Sequence, residues 1–143
     1  KVHKALRPAA VVAAHTYLVT ALSQKEVSGA ERTLPAATLA GTAVVAAAAT
    51  VPVRTRAATP APVRRGFAAA LVGWYAARFG NAQRRAWDKP SAEHVRRAVG
   101  AGITSLPALQ GALTAAAGHP VLGTALASAD PVGRRLARAV SPT

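Results

Sequence analysis

Apolar stretches alternate with clusters of charged residues along the whole chain. The five apolar stretches are residues 8–23, 34–53, 66–80, 98–117 and 120–133. A helix that crosses a bilayer needs about 20 largely apolar residues. Three stretches come near that length, whereas 66–80 needs Arg78 to reach the membrane surface and 120–133 is short enough for a tilted or partial span. The pattern predicts an all-α, polytopic transmembrane helix bundle with four to five hydrophobic segments.

The composition favours a membrane protein over a soluble one. Of the 143 residues, 51% are hydrophobic but only 4% are aromatic, so Ala, Val and Leu supply most of the apolar surface. Charged residues make up 16% of the chain, against roughly 25% in a typical soluble domain. A soluble core built mainly from Ala buries little area per residue. In a bilayer, small side chains instead allow helix backbones to approach closely.

Two other interpretations compete with a membrane bundle. The mean hydropathy of +0.21 is low enough for a soluble bundle of Ala-rich helices. The net charge of +13 is typical of nucleic-acid binders. Such binders carry their cations on one stripe or tail with aromatic residues for base stacking, whereas these cations lie at the ends of apolar stretches. The sequence therefore predicts a multi-pass protein of the cell membrane that contacts lipid and no nucleic acid.

Lys and Arg are slightly biased toward one side of the predicted membrane. The loop at residues 24–33, the loop at 78–97 and the C-terminal tail share that side, and together they hold more cations than the other side. Cytoplasmic loops are enriched in Lys and Arg. The bias therefore predicts that both loops face the cytoplasm.

Two residue types are missing. The chain contains no Cys, which excludes disulfides and thiolate metal sites. It contains no Met either, and Lys1 stands at the first position. We therefore expect Lys1 to be a processing point or an internal residue of a longer protein.

A small polar group interrupts the first apolar stretch, where His15 and Tyr17 flank a threonine. Polar residues inside a span are candidates for function, so we predict that these two residues line a cavity or a helix contact. The alternative for His15 is a histidine that hydrogen-bonds between helices. The densest polar segment, residues 23–33, contains carboxylates and cations, and its alternative interpretation is an ordinary solvated loop.

The fourth stretch combines small and polar residues. Gly100 and Gly102 near its start permit close helix contact, and Pro107 predicts a kink because it removes a backbone hydrogen bond. Gln110 follows Pro107, and an amide that faces lipid is unfavourable. We therefore expect Gln110 to face a neighbouring helix or a cavity.

The segment "SQKEVSGAERTLPAATLAG" at residues 23–41 resembles the loop and helix start after the sixth span of the UbiA superfamily of membrane prenyltransferases. Those proteins carry a second Asp-rich motif there, of the form E-G-D-x-x-x-G-x-x-T-L-P. Thr33-Leu34-Pro35 matches the end of that motif, and Gly29 and Glu26 match it more loosely.

The C-terminal part is similar to a divergent bacterial branch of the same superfamily. "RRAVGAGITSLPALQGALTAAAG" at 96–118 and "GRRLARAVSPT" at 133–143 resemble its endings R-A-V-G-x-G-I-x-x-x-x-P-L-Q and A-R-R-x-A-R-x-V-S-x-T. The resemblance covers nearly the whole chain and corresponds to the C-terminal helices of a longer bundle.

The resemblance implies a bundle around a central cavity that transfers an isoprenoid from its diphosphate to a small-molecule acceptor. In that family, Asp-rich cytoplasmic loops hold Mg²⁺, which binds the diphosphate. Carried over to this chain, the resemblance implies that Glu26 and Glu31 bind the metal and that Lys25 and Arg32 bind the diphosphate. The residue types suit these roles, because Mg²⁺ prefers carboxylate oxygens and cations neutralise a leaving diphosphate.

The chain departs from the family pattern at both Asp-rich motifs. Lys25, Ala30 and Glu31 occupy the neighbourhood of the second-motif aspartates. The first motif, N-x-x-x-D-x-x-x-D, is absent because the single asparagine, Asn81, has no aspartate at that spacing. The resemblance therefore implies that a missing N-terminal half of the same protein supplies the first motif. The alternative function is a small non-catalytic polytopic membrane protein that acts as a subunit or scaffold.

Overall fold

A computed structural model describes residues 2–51, 53 and 56–140. These residues form five α-helices: α1 (Val2–Ser23), α2 (Thr33–Thr50), α3 (Ala61–Asp88), α4 (Ala92–Ala116) and α5 (Pro120–Val140). The part of the chain that is described contains no strand, so the predicted all-α class is confirmed. Position 52 of the second predicted segment and positions 141–143 of the family-like tail lie outside the described residues.

Local sequence explains where several helices begin and end. Val51, just after α2, has an extended ψ of 129°, because the Pro52 that follows disfavours helical backbone at the preceding residue. Helix α4 begins after Ser91, whose side chain accepts a hydrogen bond from the His94 backbone N–H (3.4 Å). It ends before Gly118, which has a φ of 117° that L-residues rarely adopt.

The connection between the third and fourth helices is much shorter than the loop predicted at residues 78–97. Helix α3 continues to Asp88 and α4 begins at Ala92, so the connection shrinks to residues 89–91. Helix α5 likewise runs to Val140, beyond the predicted end at 133. Hydropathy locates the apolar middle of a helix, whereas its backbone hydrogen bonds continue through charged ends.

The first four helices form an up-and-down bundle in which α1–α2, α2–α3, α3–α4 and α4–α1 are the neighbouring pairs. Helix α5 packs on the outside, against α4 and to a smaller extent α3. The α1–α2 and α3–α4 connections lie at one end of the bundle, which we name the loop end. The α2–α3 and α4–α5 connections lie at the other end, which we name the opposite end.

Glycines allow α4 to approach its neighbours closely. A Cβ on Gly111 of α4 would collide with the carbonyl oxygen of Gly123 on α5, and a Cβ on Gly123 would collide with the carbonyl oxygen of Gly111. A Cβ on Gly102 would lie 2.7 Å from Val19 Cγ2 of α1 and 2.9 Å from Phe79 Cε2 of α3. Small residues at both contacts therefore set the distance between these helices.

Apolar side chains are abundant on the outside of the bundle, while some polar side chains are buried inside it. Each of the five helices leaves at least one large apolar side chain exposed, among them Leu6, Val44, Phe67, Ile103 and Leu122. The buried polar side chains are His15, Thr38, Thr42, Gln83 and Ser105. By length and composition, Ala5–Ser23 and Thr33–Thr50 could each cross a membrane, and no other helix of the described residues meets the same criteria.

Candidate functional site

The α1–α2 loop (residues 24–32) has a conformation that depends on Gly29. The Gly29 N–H donates to the Lys25 carbonyl oxygen (2.9 Å), and the φ of Gly29, 78°, lies in the left-handed region. A Cβ at this position would lie 2.8 Å from the Pro90 carbonyl oxygen. The N–H of Ala30 donates to that same oxygen (3.0 Å). The loop therefore lies directly against the α3–α4 connection.

Two arginine side chains make further bonds between the loop and helices α3 and α4. Arg96 Nη1 in the first turns of α4 donates to the Glu26 carbonyl oxygen (3.1 Å). Arg32 Nη2 donates to the carbonyl oxygen of Asp88 at the end of α3 (3.3 Å). Both guanidinium groups thus contact carbonyls at or beyond helix C-termini, where a cation is electrostatically favourable.

A pocket of about 770 Å³ lies between the α1–α2 loop and the adjoining ends of α1 and α2. We name its larger apolar lining residues, Tyr17, Ala21 and Leu34, the apolar wall. We name its polar lining residues, Gln24, Lys25, Ser28, Glu31 and Thr33, the polar rim. The pocket is therefore amphipathic, with one cation and one carboxylate on its rim.

The structure brings only some of the predicted binding residues together. Lys25 and Glu31 both line the pocket. Glu26 and Arg32 are not among the described residues of its lining; Glu26 offers its carbonyl to Arg96, and the Arg32 guanidinium contacts α3. The four residues that the resemblance assigns to metal and diphosphate thus separate into a pair at the pocket and a pair that attaches the loop.

A dedicated metal centre is absent from the described residues, where no group of three or more His, Cys, Asp or Glu side chains could hold an ion. A magnesium ion that binds together with a substrate diphosphate needs only one or two carboxylates, because phosphate oxygens complete its coordination. Glu31 on the pocket rim fits this requirement.

His15 lies in the centre of the bundle. Its Nδ1 is 2.9 Å from the Tyr75 hydroxyl oxygen, and its ring meets the Phe79 ring edge-on with centroids 5.4 Å apart. Since α1 and α3 occupy opposite corners of the four-helix arrangement, this hydrogen bond crosses the bundle diagonally. Tyr17, two residues later, is 74% exposed and forms part of the pocket wall instead.

The three candidate packing residues of α4 have different environments. Gly102 lies at the close contact with α1 and α3. Gly100 is exposed, and no atom lies within 4 Å of a Cβ built there, so the expected helix contact is absent. Side chains two positions apart on an α-helix point to nearly opposite faces, which explains why Gly102 meets neighbouring helices and Gly100 does not. Gln110 is exposed and lines a surface groove between α1 and α4 beside Pro8 and Ala9, rather than an enclosed cavity.

Sequence reasoning missed an ion pair that joins three helices. Arg78 Nη1 of α3 lies 3.5 Å from Asp130 Oδ2 of α5, and Arg78 Nη2 donates to Thr104 Oγ1 of α4 (3.0 Å). The sequence suggested that Arg78 extends toward a membrane surface. Its partner is 52 residues away in the chain, and no local pattern indicates the contact.

Comparison with known proteins gives no match to a family model, to a curated protein or to a solved structure. The observations that bear on function are therefore the residues and their geometry. The charged, amphipathic pocket at the loop end and the buried His15–Tyr75 pair are the two chemically distinctive places described above.

Proposed function

We propose that this chain is the C-terminal portion of an integral membrane prenyltransferase similar to the UbiA superfamily. Such an enzyme transfers an isoprenoid from its diphosphate to a small-molecule acceptor. The observation that carries the proposal is the amphipathic pocket at the loop end, which is formed largely by the segment that resembles the family's second motif. A polar rim beside an apolar wall suits a ligand with a diphosphate head and a hydrocarbon tail.

The proposal includes a multi-pass arrangement in which α1 to α4 cross the membrane and α5 crosses it wholly or in part. The exposed apolar side chains on every helix support this arrangement, since they would face lipid. Arg78 and Asp130, which lie away from the helix ends, form an ion pair with each other. Ionisable side chains within a bilayer usually have such partners.

In the pocket, Lys25 would bind the diphosphate and Glu31 would hold Mg²⁺. A charge-assisted contact of this kind contributes about 1.5–3 kcal/mol. Tyr17, Ala21 and Leu34 would contact the first carbons of the isoprenoid. The polar and apolar contacts together would orient the bond between diphosphate and isoprenoid.

The remaining parts of the active site would come from outside this chain. Under the proposal, an N-terminal half of the same protein carries the first Asp-rich motif, which forms the other metal-binding loop. Turnover is therefore a property of the complete protein, whereas diphosphate binding depends directly on Lys25.

The test is direct binding of radiolabelled geranylgeranyl diphosphate to the complete protein in detergent micelles with Mg²⁺. We expect Lys25→Ala to raise the dissociation constant roughly tenfold or more, from the loss of one charge-assisted contact. Lys89→Ala is the matched control, because Lys89 lies at the same end but outside the pocket lining. Equal affinity in Lys25→Ala and wild type would exclude the pocket, and absence of saturable binding to wild type would favour the non-catalytic alternative.

The membrane part of the proposal has a separate test. The expressed chain should stay with membranes during alkaline carbonate extraction and should require detergent for purification. Recovery as a monodisperse species in detergent-free buffer would overturn the multi-pass arrangement. That outcome would also make the soluble Ala-rich bundle the better interpretation.

A further inference from the structure

We infer that Arg96 is a positioning residue, which holds the α1–α2 loop in the conformation that forms the pocket. The part of this inference that concerns ligand affinity rests on the proposed function. The part that concerns the loop does not, because it follows from contacts between Arg96 and the loop backbone. Arg96 itself is not among the described pocket-lining residues and need not touch the ligand.

The contact lies next to the residue that it would position. Arg96 Nη1 donates to the Glu26 carbonyl oxygen across 70 residues of sequence (3.1 Å). Glu26 directly follows Lys25, which lines the pocket. The Glu26 carbonyl belongs to the peptide plane between Glu26 and Val27, so the Arg96 bond fixes the backbone one residue beyond Lys25 and thereby restricts how far the Lys25 backbone can move.

The Glu26 contact is complemented by a backbone contact on the other side of the pocket segment. Ala30 N–H donates to the Pro90 carbonyl (3.0 Å), one residue before Glu31. Residues 25–31 are therefore attached near both ends to the α3–α4 connection and the first turns of α4. Of these two attachments only the Arg96 bond comes from a side chain, so it can be removed by substitution without changing the loop sequence.

Two measurements test the inference in the complete, detergent-solubilised protein. Limited trypsin digestion, followed by mass spectrometry, reports cleavage after Lys25 and hence opening of the loop. Binding of geranylgeranyl diphosphate reports the pocket. For Arg96→Ala we expect cleavage after Lys25 to be about three- to tenfold faster and binding to be weaker by a similar factor, since the bond is exposed and worth less than a buried one.

Two further variants separate positioning from a general loss of stability. Arg96→Lys keeps one charged donor and should recover part of both effects. Arg97→Ala removes the adjacent cation on α4, which pairs with Glu93 on the same helix, and should leave both measurements at the wild-type value. A similar acceleration of cleavage in Arg97→Ala would attribute the effect to instability of α4 and overturn the inference.

The outcomes also distinguish this inference from the proposed function. An unchanged rate of cleavage after Lys25 in Arg96→Ala overturns the positioning role, regardless of the affinity for prenyl diphosphate. Faster cleavage in a protein whose wild type binds no prenyl diphosphate supports the positioning role and removes the proposed function. Faster cleavage with wild-type affinity would show that the pocket does not need the Arg96 bond, and it would overturn the role proposed for that bond in ligand binding.

Discussion

The two ends of the bundle use arginine in the same way but differ in what else they present. At the opposite end, Arg7 Nη2 donates to the Val51 carbonyl (2.7 Å) just after α2, and Arg64 Nη1 donates to the Ala116 carbonyl at the end of α4 (3.4 Å). At the loop end, Arg32 bonds the end of α3 in the same manner. Helix C-termini leave carbonyls without intrahelical partners, and a guanidinium satisfies them.

The pocket at the loop end includes charged residues in its lining. Lys25 and Glu31 line its rim, whereas the described lining of the groove between α1 and α4 near the opposite end contains no charged residue. Arg7, Arg32 and Arg64 therefore bond helix ends and give no indication of a ligand. The informative cation is the one placed on the rim of a pocket.

The largest effect is expected from substituting the two glycines with positive φ, Gly29 at the loop end and Gly118 at the opposite end. Gly29→Ala and Gly118→Ala should each lower the free energy of unfolding by about 1–3 kcal/mol, because an L-residue is strained at these φ values. Thermal unfolding in detergent measures this loss. Only Gly29→Ala should also weaken prenyl diphosphate binding, since its Cβ would collide with the Pro90 carbonyl and displace the loop. Equal loss of binding in both variants would show that the ends are not independent.

The next effect concerns capping at the opposite end. Arg64→Ala should lower the free energy of unfolding by about 1 kcal/mol, from the lost charged hydrogen bond to Ala116. A melting curve in detergent provides the measurement. Binding of prenyl diphosphate should not change, because the contact lies at the end away from the pocket. Arg65→Ala is the control, since this neighbouring arginine is exposed and should have little effect on stability.

A smaller effect is expected for the carboxylate at the pocket. Glu31→Gln should reduce the gain in prenyl diphosphate affinity that Mg²⁺ provides, by roughly threefold to tenfold, because one hard oxygen ligand is weakened. A magnesium titration of binding measures it. Glu93→Gln serves as control, since Glu93 pairs with Arg97 outside the pocket. A magnesium dependence that survives intact in Glu31→Gln would remove Glu31 from the proposed site.

The smallest expected effect tests whether the apolar wall of the pocket contributes to binding of the isoprenoid but not of the diphosphate. Tyr17→Ala should weaken geranylgeranyl diphosphate binding about threefold through lost apolar contact, and should leave inorganic pyrophosphate binding unchanged. Competition binding with both compounds gives the ratio of their affinities in the variant and in the wild type. Ile103→Ala removes a comparably exposed apolar side chain on α4 and should affect neither ligand. A parallel loss for both compounds would mean that Tyr17 supports the loop rather than the isoprenoid.

The sequence predicted the helical class and the approximate position of every helix, because each apolar stretch forms the core of one helix. It misplaced the helix ends, most clearly for residues 78–97. Helix α3 continues beyond its apolar middle through charged residues such as Arg84 and Arg85. Apolar periodicity contains no information about such extensions, whereas the Pro52 and Gly118 signals do mark the ends that they adjoin.

The pocket was partly predictable from the sequence and the bundle interior was not. The polar segment between the first two apolar stretches contains both Lys25 and Glu31, so local sequence located them together. His15 was identifiable as a polar residue in an apolar helix, but its partner Tyr75 was not. Helical spacing shows which residues share a face, and it does not show which other helix meets that face.

The diagonal bond between His15 and Tyr75 also bears on biosynthesis. Chain synthesis proceeds from the N-terminus, and these two residues are separated by 60 positions. An α1–α2 hairpin can therefore form and gain the Arg7 contacts while the His15 imidazole still lacks the partner it has in the finished bundle. Release of α3 from the ribosome supplies the Tyr75 hydroxyl, so the bond that joins α1 to α3 can form only after the third helix has been synthesised.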